Sequence, residues 1–315
     1  TLDSLCTVGE LLDAGSTHWV ALPPQAQISG RELRVPSLDA AGVAKFERHL
    51  EFVLEVAPGI LRQFGIETRM TRGFEIRSAN TFPAASGIAS SASAFAALTL
   101  AGAAACAGDM AEFEQVWSAR PEFRRAVAQV SRRGSGSSCR SFEGTWVKWQ
   151  NDEARAVPST LAGYVDLVLL VASGRKAVSS SKAHAAVLGS PLWNGRPERA
   201  NARVAELLRG LEAGESGTLA HVAWADLWEM HSLFHTAAQP FSYWLPQRLE
   251  ILQWLKPDAE GGRAVVTMDA GPNVHLLVPA SEVAAWRSRI AERFPGLVVL
   301  EDSSGPGAQL ICEAD

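Results

Sequence analysis

Three stretches of this 315-residue chain carry side chains that could do chemistry. The first reads Pro83, Ala84, Ala85, Ser86, Gly87, Ile88, Ala89, Ser90 and Ser91, and it runs into a small-residue segment at 92–107. Small residues let a ligand approach the backbone closely. A helix beginning there would offer unpaired N–H groups and a positive dipole end, which suits a phosphate group. Ser90, Ser91 and Ser93 could add hydroxyl donors or reach a magnesium ion. No Gly-Lys-Ser/Thr closes the loop, so it is not a Walker A loop. The competing reading is a tight strand-to-helix turn packed by small residues.

The second stretch, 131–141, sets Arg132, Arg133 and Arg140 around a loop containing Ser135, Gly136, Ser137 and Ser138. Guanidinium forks match phosphate and carboxylate oxygens, and hydroxyl and backbone donors fill the remaining positions. A flexible basic surface turn is the alternative. The third stretch, Thr267 to Asn273, follows an apolar run and delivers one carboxylate, Asp269, to a Gly-Pro turn. A carboxylate at a strand end can act as a general base or orient a hydroxyl. Alone, the same residues also describe an Asx turn, in which the acid bonds local backbone N–H groups.

Other candidates are weaker. His231 and His235 stand four apart in a helical stretch, as metal ligands would, but no HExxH glutamate accompanies them and Trp224, Trp228 and Phe234 indicate packing. Cys139 has no identifiable His partner and reads as a small packing residue. Phe241, Tyr243 and Trp244 read as core or a domain seam. No set of residues identifies a metal's ligands.

The surrounding elements are legible from periodicity. Residues 1–20 read as strand-like pieces. Val43, Phe46, Leu50, Val53 and Ala57 fall on one helical face, with Pro58-Gly59 ending or interrupting the helix. Residues 73–79 and 145–149 alternate as strands, and 164–172 is a continuous apolar run typical of a buried strand. Helical patterns resume at Met110, break at Pro121 and stop at Gly134. Further helices are predicted near 199–213, 217–237, 247–255 and 281–294, and strands near 263–268, 274–278, 297–300 and 309–312. The sum is an α+β chain of two domains, 1–160 and 161–315.

Composition limits the partners. Twenty-nine Lys and Arg stand against thirty-four Asp and Glu, a net charge of −5. That balance points to no nucleic acid and no anionic membrane. The run 94–108 is too short to span a bilayer. Four scattered cysteines suit reduced thiols in the cytoplasm better than a disulfide framework.

Taken together, the segments at 80–92 (NTFPAASGIASSA), 132–141 (RRGSGSSCRS) and 268–273 (MDAGPN) resemble the diphosphomevalonate decarboxylase family of the GHMP kinase superfamily. Lesser matches are VSSS at 178–181, EMH at 229–231, PFSYW at 240–244 and GPGAQ at 305–309. The resemblance implies a ribosomal-protein-S5-like N-terminal domain that binds ATP and a ferredoxin-like C-terminal domain, with the active site in a cleft between them. It implies ATP-dependent decarboxylation of mevalonate 5-diphosphate to isopentenyl diphosphate, carbon dioxide, ADP and phosphate, with ATP and Mg2+ as cofactors, in a cytoplasmic homodimer.

By the same resemblance, the loop at 83–91 would cradle the ATP phosphates, with Ser90 or Ser91 near the transferred group. Ser135 and Ser137, in the turn around Gly136, would hold substrate oxygens. Arg140 would pair with the substrate carboxylate or phosphate. Asp269 would face the 3-hydroxyl as base or orienter. Related 3-kinases tend to lack this acid, which favours a decarboxylase. Lys45 stands where relatives tend to carry an arginine that touches the diphosphate. Relatives open with a strand bearing Asn and a Lys-Tyr-Trp-Gly-Lys-like segment that is not found here, so a further N-terminal piece is expected before Thr1, a truncated member being the alternative. The alternatives are a phosphomevalonate decarboxylase, a mevalonate 3-kinase, or a binding protein without catalysis.

Overall fold

The structure is a computed structural model that describes residues 4–10, 25–28, 40–69, 74–80, 90–151, 153–161, 163–172 and 177–310, with backbone alone for 4–10, 25–28, 74–80, 41, 90 and 181. The chain divides into two units, one holding most of its first half together with the 305–310 tail, the other holding 157–304.

In the first unit, β1 (Ser4–Glu10) and β2 (Gln25–Ile28) flank the middle strand β3 (Phe74–Asn80), both antiparallel. Between β2 and β3 runs α1 (Ala40–Gln63). It continues through Pro58, where the sequence suggested a break. The proline removes one helix donor, but the apolar face continues past it through Val53, Ala57 and Leu61, all at most 2% exposed. α2 (Ser90–Ala105) packs along β1 and α1. α3 (Met110–Ala119) starts at Asp109, whose carboxylate accepts from the Ala111 N–H at 2.7 Å. α4 (Pro121–Ser131) takes Pro121 at its first turn, where the missing N–H costs nothing. A hairpin of β4 (Val147–Gln150) and β5 (Glu153–Ala156) follows. Its second strand lies in a polar stretch that carries no alternating apolar pattern. Asn151 turns it with φ 54°, a left-handed conformation that asparagine tolerates. Val53, Leu61, Ile66, Phe113, Trp117, Phe123 and Phe142 form this unit's core.

The second unit begins with β6 (Tyr164–Leu170) and continues through α5 (Ser180–Ala186), α6 (Arg196–Ala213), α7 (Ser216–His235) and α8 (Pro246–Glu260). Then come β7 (Val265–Thr267), β8 (Val274–Pro279), α9 (Val283–Arg293) and β9 (Val298–Ser303). The four strands form one antiparallel sheet in the order β7-β8-β6-β9. That order and the alternation of strands with helices give the split-βαβ arrangement of a ferredoxin-like domain. Val165, Leu167 and Leu169 of β6 meet Val266, Leu276 and Ile251 in its core.

The tail differs from expectation. Residues 305–310 pack with the first unit instead of closing the second, and 309–310 are not strand. Thr145 N–H donates to the Gly305 carbonyl at 3.2 Å, and Ala308 and Leu310 lie against the first unit's core. Gly307 (φ +91°) passes so near the Phe142 carbonyl that a Cβ would stand 2.7 Å from it. Residues 311 and 312 lie outside the described residues.

Candidate functional site

The first unit brings Lys45 and the turn that begins at Gly134 to one aromatic ring, Phe95 on α2. Lys45 is exposed on α1, and its ammonium sits 4.8 Å from the Phe95 ring centroid. Burial of part of the chain and the neighbouring Arg48 lower its pKa. Gly134 presses on the same ring: a Cβ there would come within 2.2 Å of Phe95 Cδ1. Only glycine lets the 134–138 turn sit this close to α2. The result is that Ser135 Oγ lies 3.4 Å from Ser91 Oγ, the second hydroxyl of α2. The first and second sequence motifs are thereby joined through side chains at the start of this helix. Residues 83–89 lie outside the described residues, and Ser90 is described by its backbone alone.

The turn itself is held from below. Ser131 and Ser138 are fully buried, and their hydroxyls meet at 2.6 Å. Ser131 Oγ also lies 2.7 Å from the Ala128 carbonyl and Ser138 Oγ 2.7 Å from the Ser135 carbonyl, so one hydroxyl of the pair donates to the other while the other donates to its carbonyl. Residues 138–142 continue as a 3-10 turn with Cys139 buried beneath it. Burial raises the Cys139 pKa, against the pull of Arg132 and Arg140, so this thiol packs rather than reacts. The flexible-turn alternative does not hold, because the buried Ser131 and Ser138 hydroxyls fix this loop.

The three arginines of the motif separate. The Arg132 guanidinium lies over Trp149 at 5.4 Å and Arg133 over Phe52 at 4.9 Å. Arg140 is exposed, and among the described residues it has no ion-pair partner. Gly136 is exposed and Ser137 half-buried beside it. These groups offer hydroxyl, amide and guanidinium donors to an anion, and none of the described carboxylates neutralises Arg140.

In the second unit Asp269 stands just beyond the end of β7. It is exposed, while Met268 and Ala270 on either side are 3% and 9% exposed. The Asp269 backbone carbonyl accepts from Gly271 N–H at 2.8 Å. Its carboxylate accepts no hydrogen bond among the described residues, so the Asx-turn alternative fails. The turn is pinned by Asn273, whose side-chain oxygen accepts from the N–H groups of Val171 (2.9 Å) and Ala172 (3.2 Å) at the end of β6.

The histidine pair is part of an aromatic cluster. His231 is fully buried against Phe234 and Tyr243, while His235 meets Trp244 edge-on at 4.7 Å and Ser242 Oγ at 3.2 Å. Burial, with Arg248 and His235 adding, pushes the His231 pKa down to about 3. Phe241, Tyr243 and Phe234 pack together in this unit's own core.

Three polar groups went unread in the sequence. Arg248 is fully buried, donates to the Tyr243 carbonyl at 3.0 Å and to the Met268 sulfur, and burial lowers its pKa to about 9. His275 and Asp166 form an ion pair at 2.7 Å across the sheet. The signal for the last was present: Asp166 is the one charge inside the apolar run 164–172.

Comparison with known proteins places both halves. Residues 37–160 match the family described as diphosphomevalonate decarboxylase-like N-terminal domain, and 166–306 match the mevalonate 5-diphosphate decarboxylase C-terminal domain. Diphosphomevalonate decarboxylase of Homo sapiens is 30% identical over 242 residues, covering 70% of this chain and 55% of the human enzyme. The chain thus spans little more than half the length of that curated relative. A crystal structure of a mevalonate diphosphate decarboxylase from Legionella pneumophila superposes with a TM-score of 0.69 at 30% identity, over 95% of this chain and 99% of that one. A structure of MDDEF in complex with MVAPP, AMPPCP and magnesium gives 0.70 at 22% identity, over 99% and 100%. The two-domain α+β architecture is that of these decarboxylases, the GHMP kinase fold.

Proposed function

Because the chain belongs to the diphosphomevalonate decarboxylase family, we propose that it catalyses ATP-dependent decarboxylation of mevalonate 5-diphosphate. The products are isopentenyl diphosphate, carbon dioxide, ADP and phosphate. The observation that best supports this reading is the exposed, uncommitted Asp269 carboxylate in its pinned turn.

The roles follow from the donors each unit provides. The loop at 83–91 and the α2 start bind the ATP phosphates, with Ser90 and Ser91 nearest the transferred group. The residues present fit such a ligand: the Ser91 and Ser135 hydroxyls lie side by side, and the turn carries an unneutralised Arg140. Ser135, Gly136 and Ser137 hold substrate oxygens, Arg140 the substrate carboxylate or phosphate, and Lys45 the diphosphate. A magnesium ion bound with ATP would be carried in part by phosphate oxygens and water, which is its usual preference.

When bound, ATP supplies the phosphoryl group that makes the tertiary 3-oxygen a leaving group. Phosphoryl transfer to such a poor nucleophile depends on in-line placement and charge neutralisation. Asp269 accepts or orients the 3-hydroxyl proton. As the C3–O bond breaks, positive character grows at C3, which the Asp269 charge stabilises. The electron pair of the bond to the substrate carboxylate then closes the double bond, and carbon dioxide departs.

No helix among the described residues is long and apolar enough to cross a membrane. We place the reaction in the cytoplasm and take a homodimer as the working assembly; light scattering on the purified chain tests the latter. The function is tested by incubating the protein with ATP, Mg2+ and, separately, mevalonate, its 5-phosphate and its 5-diphosphate. ADP and carbon dioxide in equal amounts from the diphosphate alone is the expected result. Carbon dioxide from the monophosphate would identify the sibling decarboxylase, and ADP without carbon dioxide would identify a kinase.

A further inference from the structure

The sheet of the second unit carries charges on the face turned away from its core. Ala264, Val266 and Met268 join the core cluster, as do Val274, Leu276 and Val278 of β8. Strand alternation therefore sends Thr267 and His275 to the opposite face, and Asp269, two residues beyond Thr267, is exposed where its neighbours Met268 and Ala270 are buried. Thr267 and His275 are direct partners in the β7–β8 ladder. Asp166 lies on that face too, since its neighbours Val165 and Leu167 are core residues. There the His275 Nδ1–H donates to Asp166 Oδ2 at 2.7 Å, while His275 Nε2 is buried and has no hydrogen-bond partner. A ring gripped by a carboxylate at one nitrogen is fixed in orientation.

We propose that His275 is a positioning residue for Asp269: an imidazolium, anchored by Asp166, that serves as the fixed counter-ion of the acid-bearing turn. This rests on reading Asp269 as the reacting carboxylate. Every charged group facing the ring bears on the balance. Burial disfavours the charged ring, Asp166 of β6 and Asp269 favour it, and the buried Arg248 of α8 opposes them; the outcome is a pKa pushed up to about 9. Asp302 of β9 stands opposite Asp166 in the ladder. A counter-ion built into the sheet holds the Asp269 charge in one place while C3 becomes cationic and then neutral again. Without it the carboxylate is free to shift toward other cations, and a misplacement of about 1 Å costs on the order of 100-fold in rate.

The test follows the ring directly. His275 is titrated by NMR in isotopically labelled protein, its resonance identified by its loss in His275→Gln. The expected midpoint lies near pH 9 in the parent protein. Asp166→Asn and Asp269→Asn each lower it by roughly a pH unit or more, the size of an opposite charge's effect. In kinetics, His275→Gln lowers kcat roughly 10- to 100-fold with little change in the KM for ATP, and His275→Lys recovers most of the loss. An unchanged midpoint in Asp269→Asn, or a normal kcat in His275→Gln, overturns the proposal. If the parent protein releases no carbon dioxide, the functional reading fails by itself, and the Asp269→Asn titration still decides whether the two groups are paired.

Discussion

Met268 packs its sulfur against Arg248 inside the second unit, and the next residue, Asp269, is exposed. A single carboxylate delivered this way, with no local bond to occupy it, is available to a ligand. Asp269→Asn is predicted to lower carbon dioxide release by roughly 10²- to 10³-fold while ATP affinity, measured by calorimetry, stays unchanged. Retention of near-normal turnover would remove Asp269 from the mechanism. Ser138 is the opposite kind of residue: it is fully buried beneath the turn. Ser138→Ala removes the hydroxyl contact with Ser131 and one of the two bonds on the Ser135 carbonyl, at a cost of about 0.5–1.5 kcal/mol, read as a lower urea midpoint. Asp269 was singled out in the sequence by the resemblance of its MDAGPN segment, because alone a single acid in a Gly-Pro turn also describes an Asx turn. His275 was not, because a histidine in a strand shows its role only when the register brings Asp166 beside it.

At the scale of elements, the decisive contact is the turn at Gly134 riding on Phe95 of α2. Gly134→Ala is predicted to push the turn off the helix, lowering both thermal stability and affinity for substrate, since Ser135 moves with it. An alanine variant with unchanged melting and KM would show that the turn has room to yield. α1 gives a prediction of the other sign. Pro58 lies inside the helix, so Pro58→Ala restores a backbone donor and stabilises the protein by up to about 3 kcal/mol, read from the denaturant midpoint. Helices and central strands were legible because their apolar spacing is strict. β5 and the passage of α1 through Pro58 were not, because a polar hairpin and a tolerated proline are decided by tertiary packing rather than by local pattern. The same holds for the 305–310 tail, whose backbone bond to Thr145 has no counterpart in sequence spacing.

At the scale of the whole molecule, three histidines set opposing pH responses. His49, buried against Phe95, has its pKa lowered to about 4 by burial and by Lys45, and His231 is lowered to about 3. Both fold as neutral rings, so their stabilising contribution is complete above the ordinary histidine value near 6.5 and is lost as the pH falls below it toward 4. His275 is raised to about 9, so its contribution is complete below about 6.5 and is lost as the pH rises through 9. Melting temperature is therefore expected to peak near neutrality and to fall on both sides; a flat profile between pH 5 and 9.5 would contradict these assignments. The chemistry assigned to the two units together has a direct isotopic signature. If the 3-hydroxyl of mevalonate 5-diphosphate is phosphorylated by ATP before carbon dioxide leaves, then substrate carrying ¹⁸O at that hydroxyl must pass its label to the inorganic phosphate released. Labelled phosphate in step with carbon dioxide is the predicted result, and carbon dioxide accompanied by unlabelled phosphate would contradict it.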